Sequence, residues 1–216
     1  MKLTPLGDAA VLAYHTDEPT AVRFAATVRN ASPPWLQDVV PAYASVGVYF
    51  DADAIRTDEV VRWLEALPVS DSGVSVGTRH VIPVCYELGP DLEKVVEHLK
   101  LSVEDVIRLH TGAEYTVYAI GFVPGFPYMG YLPAELCGVP RLSSPRVRVE
   151  PGSVGVTGRQ TGIYPLPRPG GWHLIGRTPL VLVDVAADYF PLRVGDVVQL
   201  ERIGEAEYKQ REGDKL

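Results

Sequence analysis

Six arginines stand between positions 141 and 177: Arg141, Arg146, Arg148, Arg159, Arg168 and Arg177. Glu150 is the only acid among them, so this stretch is locally +5 inside a chain of net charge −7. No lysine occurs between Lys100 and Lys209. Arginine without lysine favours planar, bidentate contact with carboxylate or phosphate over a diffuse basic surface. Two readings follow. Arg146 and Arg148 alternate and can decorate the wet face of a strand, or at least two of the set line an anion site. The glycines of "EPGSVGVTGRQTGIYP" fit the second reading, since a residue without Cβ lets backbone approach a ligand. Freed N–H groups there could cradle a phosphate. The same glycines equally fit the corners of a barrel. No GxxxxGK[ST] run is present, and the glycine spacing is not a dinucleotide fingerprint.

Other reactive side chains are sparse. His110 shares a helical face with Val103, Val106 and Ile107, so it is either a satisfied core imidazole or a buried group beside a site. His173, in "PGGWHLIGRTP", is a candidate general base or ligand contact, or a residue on a strand surface. Ser143, Ser144 and Ser153 lie in no GxSxG elbow, which argues against nucleophilic hydrolysis by this chain alone. Paired carboxylates are absent from the same region, and no Cys/His spacing resembles a zinc site. The segment "GFVPGFPYMGYLP" is different in kind. Phe122, Phe126, Tyr128 and Tyr131 are held by Pro124, Pro127 and Pro133. Prolines limit the entropy lost when such rings meet a partner or ligand, although a hydrophobic plug at one barrel end is the alternative.

The elements that must position these residues come in two groups. In the first third, "DAAVLAYH" reads as a strand and "TAVRFAATVRN" as a helix burying Ala21, Phe24, Ala25 and Val28. "VVPAYASVGVYF" is extended with a turn near Pro41 and Ala42. "TDEVVRWLEAL" is a helix capped by Thr57, with Val60, Leu64 and Leu67 inward. Two helices on a small sheet make a compact α+β unit, residues 1–77. The polar "PVSDSGVSVGTR" reads as a linker to a second domain, 78–216. That domain opens on the strand "HVIPVCYE". Two short helices follow, the second capped by Ser102 with Asp105 in capping-box spacing. Then come the short strands "EYTVYAI", "RVRVE", "SVGVTG", "HLIG", "LVLVDV" and "DVVQLERI". From Gly121 to Pro179 there are 11 Gly and 10 Pro, a density no long helix survives and one that suggests a barrel or sandwich. The C-terminal "EAEYKQREGDKL" reads as a solvated tail. The acidic balance argues against nucleic-acid binding. No run approaches the roughly 20 apolar residues that span a bilayer, and the N-terminus makes a poor signal peptide. Cys85 and Cys137 are expected as reduced thiols of a cytoplasmic protein.

Three long stretches carry a resemblance: "GPDLEKVVEHLKLSVEDVIRLHTGAEYTVYAIGF", "GFVPGFPYMGYLP" and "PRLSSPRVRVEPGSVGVTGRQTGIYPLPRPGGWHLIGRTPL". With "GDAAVL" and "LRVGDVVQL" at the ends, the chain resembles the family of 5-oxoprolinase B subunits over nearly its whole length. That family also holds the Kip-type inhibitor of a sporulation histidine kinase and is labelled allophanate hydrolase subunit 1. Tyr131 departs from it, where a second glycine is expected. The resemblance implies an α+β fold: a small α/β-sandwich N-terminal domain and a cyclophilin-like β-barrel C-terminal domain. It implies a three-component enzyme in which the A, B and C subunits open 5-oxo-L-proline to L-glutamate, using ATP with a divalent cation at the level of the complex.

Residues matching its dense motifs are His110, Tyr118, Gly125, Phe126, Pro127, Arg141, Arg146, Gln160, Thr161, Tyr164, Trp172, Arg177 and Thr178. The expected catalytic set is His110, Arg141, Gln160, His173 and Arg177, with Arg141, Arg146 and Arg177 lining an anion groove at the barrel mouth. Arg146, Thr161, Tyr164, Trp172 and Thr178 are expected to bind substrate, and Phe122, Phe126, Tyr128 and Tyr131 to face a partner or lid the groove. The rival readings are a Kip-type module that docks on a histidine kinase, a carboxyltransferase half of urea carboxylase type with a biotinylated partner, and a peptidyl-prolyl isomerase suggested by fold class alone.

Overall fold

The computed structural model describes residues 1–68 and 77–216, and of the stretch read as a linker, residues 69–76 lie outside them. The chain divides into two compact units, Met1–Val76 and Gly77–Leu216. The first contains β1 (Lys2–Pro5), β2 (Ala10–Tyr14), α1 (Glu18–Ala31), β3 (Leu36–Ala42), β4 (Ser45–Phe50) and α2 (Thr57–Ala66). Its sheet is antiparallel in the order β1-β2-β4-β3. The Asp17 side chain starts α1 by accepting the Thr20 amide at 2.8 Å. The four apolar residues expected inward, Ala21, Phe24, Ala25 and Val28, are buried against Val11, Val46, Val48 and Phe50 of the sheet. In α2 the cap is Arg56 rather than Thr57, because Glu59 turns back to accept the Arg56 amide and Thr57 is already helical.

The second unit holds β5 (Arg79–Val84), α3 (Leu92–Leu99), α4 (Val103–Thr111), β6 (Glu114–Ile120), β7 (Pro127–Gly130), β8 (Arg146–Val149), β9 (Ser153–Thr157), β10 (Gln160–Ile163), β11 (Arg168–Gly170), β12 (His173–Arg177), β13 (Val197–Arg202) and α5 (Glu205–Arg211). Seven strands form one sheet, ordered β12-β9-β10-β7-β6-β13-β5, parallel only where β13 meets β5. The sheet curls until its edges meet. Cys85, directly after β5, exchanges two backbone hydrogen bonds of 2.8 and 2.9 Å with Arg177 at the end of β12. Gly176 makes the seam possible, since a Cβ there would stand 2.6 Å from Val84 Cγ1. The fold class is therefore α+β, with a sandwich unit followed by a barrel-like one.

Ile82, Val84, Val117, Met129, Val154, Val156, Ile163, Ile175, Val198 and Leu200 fill the inside of the curled sheet, joined by Val95, Val106 and Ile107 from α3 and α4. A separate antiparallel pair, β8 with β11, joined through β9 and β10, forms a two-stranded layer whose Val149 packs with Phe126, Tyr164, Trp172 and Leu174. Two expectations are corrected. "LVLVDV" is not a strand: Val181 and Asp184 make single bridges to Lys215 and Tyr189. The C-terminal stretch is not a free tail, because α5 buries Tyr208 beside Cys85 and Ile203.

Candidate functional site

The cleft with the most chemical character lies between the β8–β11 strand pair and the outer face of the large sheet. Strand alternation builds it. Val154, Val156, Ile163 and Ile175 point inward, so their neighbours Gly155, Gly162, Tyr164 and Leu174 present the opposite face. The glycines there are bare because rings lie on them. A Cβ on Gly162 would meet Pro127 O at 2.8 Å and Phe126 Cζ at 2.9 Å, one on Gly155 would meet Trp172 Cβ at 3.1 Å, and one on Gly170 would meet Tyr164 Oη at 2.5 Å. At Gly155 and Gly162 this leaves no room for the expected glycine cradle, since the space over them holds the protein's own aromatics, and Gly152 and Gly158 of the same stretch lie outside the cleft lining.

Those aromatics form a continuous edge-to-face cluster. Phe126 sits at its centre, with ring centroids 4.9 Å from Tyr128, 5.1 Å from Tyr164 and 5.6 Å from both Trp172 and Phe122. Such tilted pairs contribute roughly 0.5–1.5 kcal/mol each beyond their buried area, which fixes the ring positions firmly. Phe122 is the exception in exposure, at 58%. It occupies the centre of a γ-turn in which Val123 N donates to Gly121 O at 2.7 Å, and its φ is 67°. That left-handed conformation is costly for a phenylalanine and holds the ring at the lip of the cleft.

The enclosed volume is about 240 Å³, lined by Phe122, Phe126, Tyr128, Tyr164 and Trp172, by Pro145, Pro169, Gly170 and Gly171, and by one cation, Arg141. Arg141 is placed by its neighbour, whose amide (Leu142 N) donates to Gly171 O at 2.7 Å. Among the described residues no carboxylate pairs with it. Burial raises the phenols of Tyr128 and Tyr164 above their ordinary range, against the opposing pull of Arg141, so both remain protonated donors at neutral pH. The cleft thus offers flat apolar walls, two hydroxyls and one guanidinium. It suits a small flat anion, and among the described residues its lining contains no carboxylate, imidazole, thiol or aliphatic hydroxyl.

The three-arginine groove is not assembled. Arg141 reaches the cleft. Arg146 turns away behind it, donating to the buried carboxylate of Asp91 at 2.5 Å and to Trp172 O at 3.4 Å. Arg177 lies at the barrel seam, its Nε on Pro151 O at 3.0 Å. Strand pairing separates them, since β8 and the end of β12 carry their side chains to different places. Arg148 pairs with Glu150, and Arg159 lies 4.2 Å over the Tyr131 ring. Tyr131 is thus outside the cleft lining, and Phe126, at 1% exposure, cannot face a partner.

His110 is fully buried, and its two nitrogens are accounted for. Thr161 donates its one hydroxyl proton to Gly155 O at 3.1 Å, so it accepts from His110 Nε2–H at 3.0 Å. Nδ1 then accepts from Tyr86 Oη at 2.8 Å. Burial depresses the imidazole pKa to about 3. His110 and Thr161 are therefore bolts of the barrel core and cannot meet a ligand in the cleft. Thr178 is likewise buried, accepting the Leu180 amide at 3.3 Å. Gln160 is half-buried at the start of β10, in register with Gly130 and Thr157 and outside the cleft lining.

His173 follows Trp172 but lies on the Asp91 side. Its buried Nδ1 has no partner, and its pKa is lowered, first by burial, although Asp91 opposes this. Sequence reasoning missed Asp91 itself, which accepts from Leu174 N at 2.9 Å, Lys94 at 3.1 Å and Arg146. The only signal for it is an acid after Pro90 at a helix start, which reads as an ordinary cap. Among the described residues no group of three or more His, Cys, Asp or Glu stands ready to hold a metal, and no helix is long and apolar enough to cross a membrane.

Comparisons with known proteins agree on a relationship. A family model described as carboxyltransferase domain, subdomain C and D, matches residues 1–192. The B subunit of 5-oxoprolinase from Bacillus subtilis (strain 168) is 38% identical over 96% of this chain and 95% of its own length. The crystal structure of TTHA0988 matches with a TM-score of 0.80 and 35% identity over 91% of this chain, which spans 40% of that longer chain. The crystal structure of Kluyveromyces lactis urea carboxylase matches with a TM-score of 0.73 at 17% identity over 99% of this chain and 23% of that one, a likeness of fold alone.

Proposed function

Because the chain belongs to the family of 5-oxoprolinase B subunits, which are carboxyltransferase-domain (subdomain C and D) proteins, we propose that it is the B subunit of an ATP-dependent 5-oxoprolinase. With the A and C subunits it opens 5-oxo-L-proline to L-glutamate. The observation that carries this reading is the character of the cleft. It is built to bind, with five aromatic rings and one guanidinium that, among the described residues, no carboxylate holds, yet no carboxylate, imidazole, thiol or aliphatic hydroxyl of the described residues lines it. Opening a lactam needs water activated as a nucleophile and a proton for the leaving nitrogen. Phenols held above their usual range by burial are poor bases for the first task. The chain therefore supplies a bound, oriented, partly dehydrated substrate, and partner proteins bring the groups that act on it.

The test is reconstitution. The chain is copurified with candidate A and C subunits, and 5-oxoproline-dependent ATP hydrolysis and glutamate release are measured. Activity is expected only from the complete set. Turnover by this chain alone, or a complete complex with no 5-oxoproline dependence, contradicts the assignment.

A further inference from the structure

We infer that the aromatic cleft of this chain holds the ring acid of the reaction and not the nucleotide, with Arg141 on the carboxylate, Tyr128 donating to the ring carbonyl, and Phe122 and Trp172 against the ring. This division of labour rests on the functional reading above but concerns which ligand this chain takes. Size is the first reason. Sites for drug-sized ligands enclose roughly 300–1,000 Å³, and this cleft encloses about 240 Å³. Charge is the second. A triphosphate requires several cations or a nest of free backbone N–H groups. Only Arg141 among the arginines lines the cleft, Arg146 being held by Asp91, Arg148 by Glu150 and Arg177 by Pro151 O. Of the glycines that might have formed a nest, Gly155 and Gly162 lie under rings and are paired with each other across β9 and β10, Gly152 faces the Thr178 carbonyl, and Gly158, between β9 and β10, is outside the cleft lining.

What is left matches one carboxylate on a small ring. A guanidinium free of carboxylates receives it in a fork. Among the described residues no acid lines the cleft to repel it. The Tyr128 hydroxyl, kept protonated by burial, lines the same cleft and supplies the donor that a lactam oxygen needs.

The experiment uses Trp172 as reporter, in the full chain carrying Trp35→Phe and Trp63→Phe, which removes the other two of the three tryptophans. 5-Oxo-L-proline, 2-pyrrolidinone (the same ring without its carboxylate) and ATP with Mg²⁺ are titrated, first into the chain and then into the assembled complex with the A and C subunits. 5-Oxo-L-proline is expected to change Trp172 emission saturably. Loss of the ligand carboxylate, or Arg141→Ala, weakens this about tenfold to a hundredfold, the scale of one charge-assisted bidentate contact. Arg141→Lys recovers part of it, and MgATP leaves the signal unchanged. In the complex, Arg141→Ala raises KM for 5-oxo-L-proline and not for ATP.

A Trp172 response that MgATP produces or competes away overturns the inference. So does an Arg141→Ala chain that binds 5-oxo-L-proline as before, or no response in chain and complex alike. If the wild-type complex is active while Arg141→Ala is silent, the inference falls and the proposed function stands. If Trp172 responds but the complex has no 5-oxoproline-dependent activity, the reverse holds.

Discussion

Replacing Asp91 by alanine is expected to destabilise the second unit by about 4 kcal/mol, although the residue is in contact with nothing in the cleft lining except through Arg146 and the backbone of β12. The carboxylate is 0% exposed and joins three elements: its own helix α3 through Lys94, β8 through Arg146, and β12 through Leu174 N. These contacts are not equal. Lys94 is 63% exposed, so its ion pair contributes at most about 1 kcal/mol. The Arg146 pair is different, because breaking a buried pair costs roughly 3–5 kcal/mol when the remaining charge stays buried. Arg146 keeps about a quarter of its side chain in water and can swing outward, which brings its share below that range, to about 2 kcal/mol. The Leu174 amide is buried and left without its acceptor, at about 1–3 kcal/mol. Asp91→Asn retains an acceptor for that amide and should recover about 1–2 kcal/mol.

The measurement is urea unfolding followed by Trp172 in the Trp35→Phe, Trp63→Phe background, which reports the second unit only. A drop in Tm of about 10 °C is the thermal equivalent. A loss below about 1 kcal/mol, or Asn as damaging as Ala, would refute the ranking. Burial acts to raise the Asp91 carboxyl, but the Leu174 amide, Lys94 and Arg146 outweigh it and leave its pKa below the ordinary value. Its contribution is therefore present above the unfolded carboxylate range and fades as pH falls through the folded pKa, so Asp91→Ala should flatten the acid limb of the stability profile.

The imidazole of His110, with a folded pKa of about 3, should remain neutral with its proton on Nε2 at pH 5. Because an unfolded histidine protonates near 6.5, stability is full above that value and falls by about 2 kcal/mol between pH 7 and pH 5; ring chemical shifts that titrate in this window would contradict the burial argument. Gly162→Ala places a methyl 2.8 Å from Pro127 O and should cost roughly 2–3 kcal/mol by overpacking. Gly158→Ala, at φ +56 with nothing within 4 Å, should cost only about 1 kcal/mol of backbone strain; equal losses in urea unfolding would count against the crowding explanation. Phe122→Gly relieves a φ of 67° and removes a mostly exposed ring, so stability should move by less than about 1 kcal/mol while the Trp172 response to 5-oxo-L-proline weakens severalfold.

Much of this architecture was legible wherever one periodicity governed a segment. The inward face of α1, the Ser102 cap of α4 and the span of β6 follow from spacing alone. Legibility ended where residues usually read as breakers lie inside strands. β7 begins on Pro127, β10 contains Gly162, and β11 is Arg168–Gly170, and none of the three reads as a strand. Gly162 and Gly170 are there because an aromatic ring occupies the space of their missing side chains, a fact that lies in the partner residue and not in the glycine. "LVLVDV" fails in the opposite way: its composition is strand-like, but strand preference is realised only where a partner strand exists. The aromatics of "GFVPGFPYMGYLP" were visible as a set, yet composition could not tell an outward anchor from a ring such as Phe126 that closes on the fold itself. Counting arginines failed for a related reason. Charge is additive along a sequence, whereas availability depends on whether an Asp91 or a carbonyl already holds the guanidinium.

The position of the cleft follows from the barrel's own packing. The inside of the curled sheet is filled by aliphatic side chains and by the His110–Thr161–Tyr86 chain of hydrogen bonds, so no ligand can enter there without removing buried, satisfied groups. A site on this unit must lie on the outer face, where a rigid lining needs a second layer to press against. The β8–β11 pair is that layer, but it is only two strands, and an isolated pair is marginal in water. Val149 anchors one side through the aromatic cluster, and the Arg146–Asp91 pair anchors the other to α3 and β12. On the proposed function, the arginine that charge counting assigned to the ligand would serve it indirectly. By holding Trp172 O and a buried carboxylate, Arg146 fixes one wall of the cleft, and that leaves Arg141 as the cation free to meet a substrate.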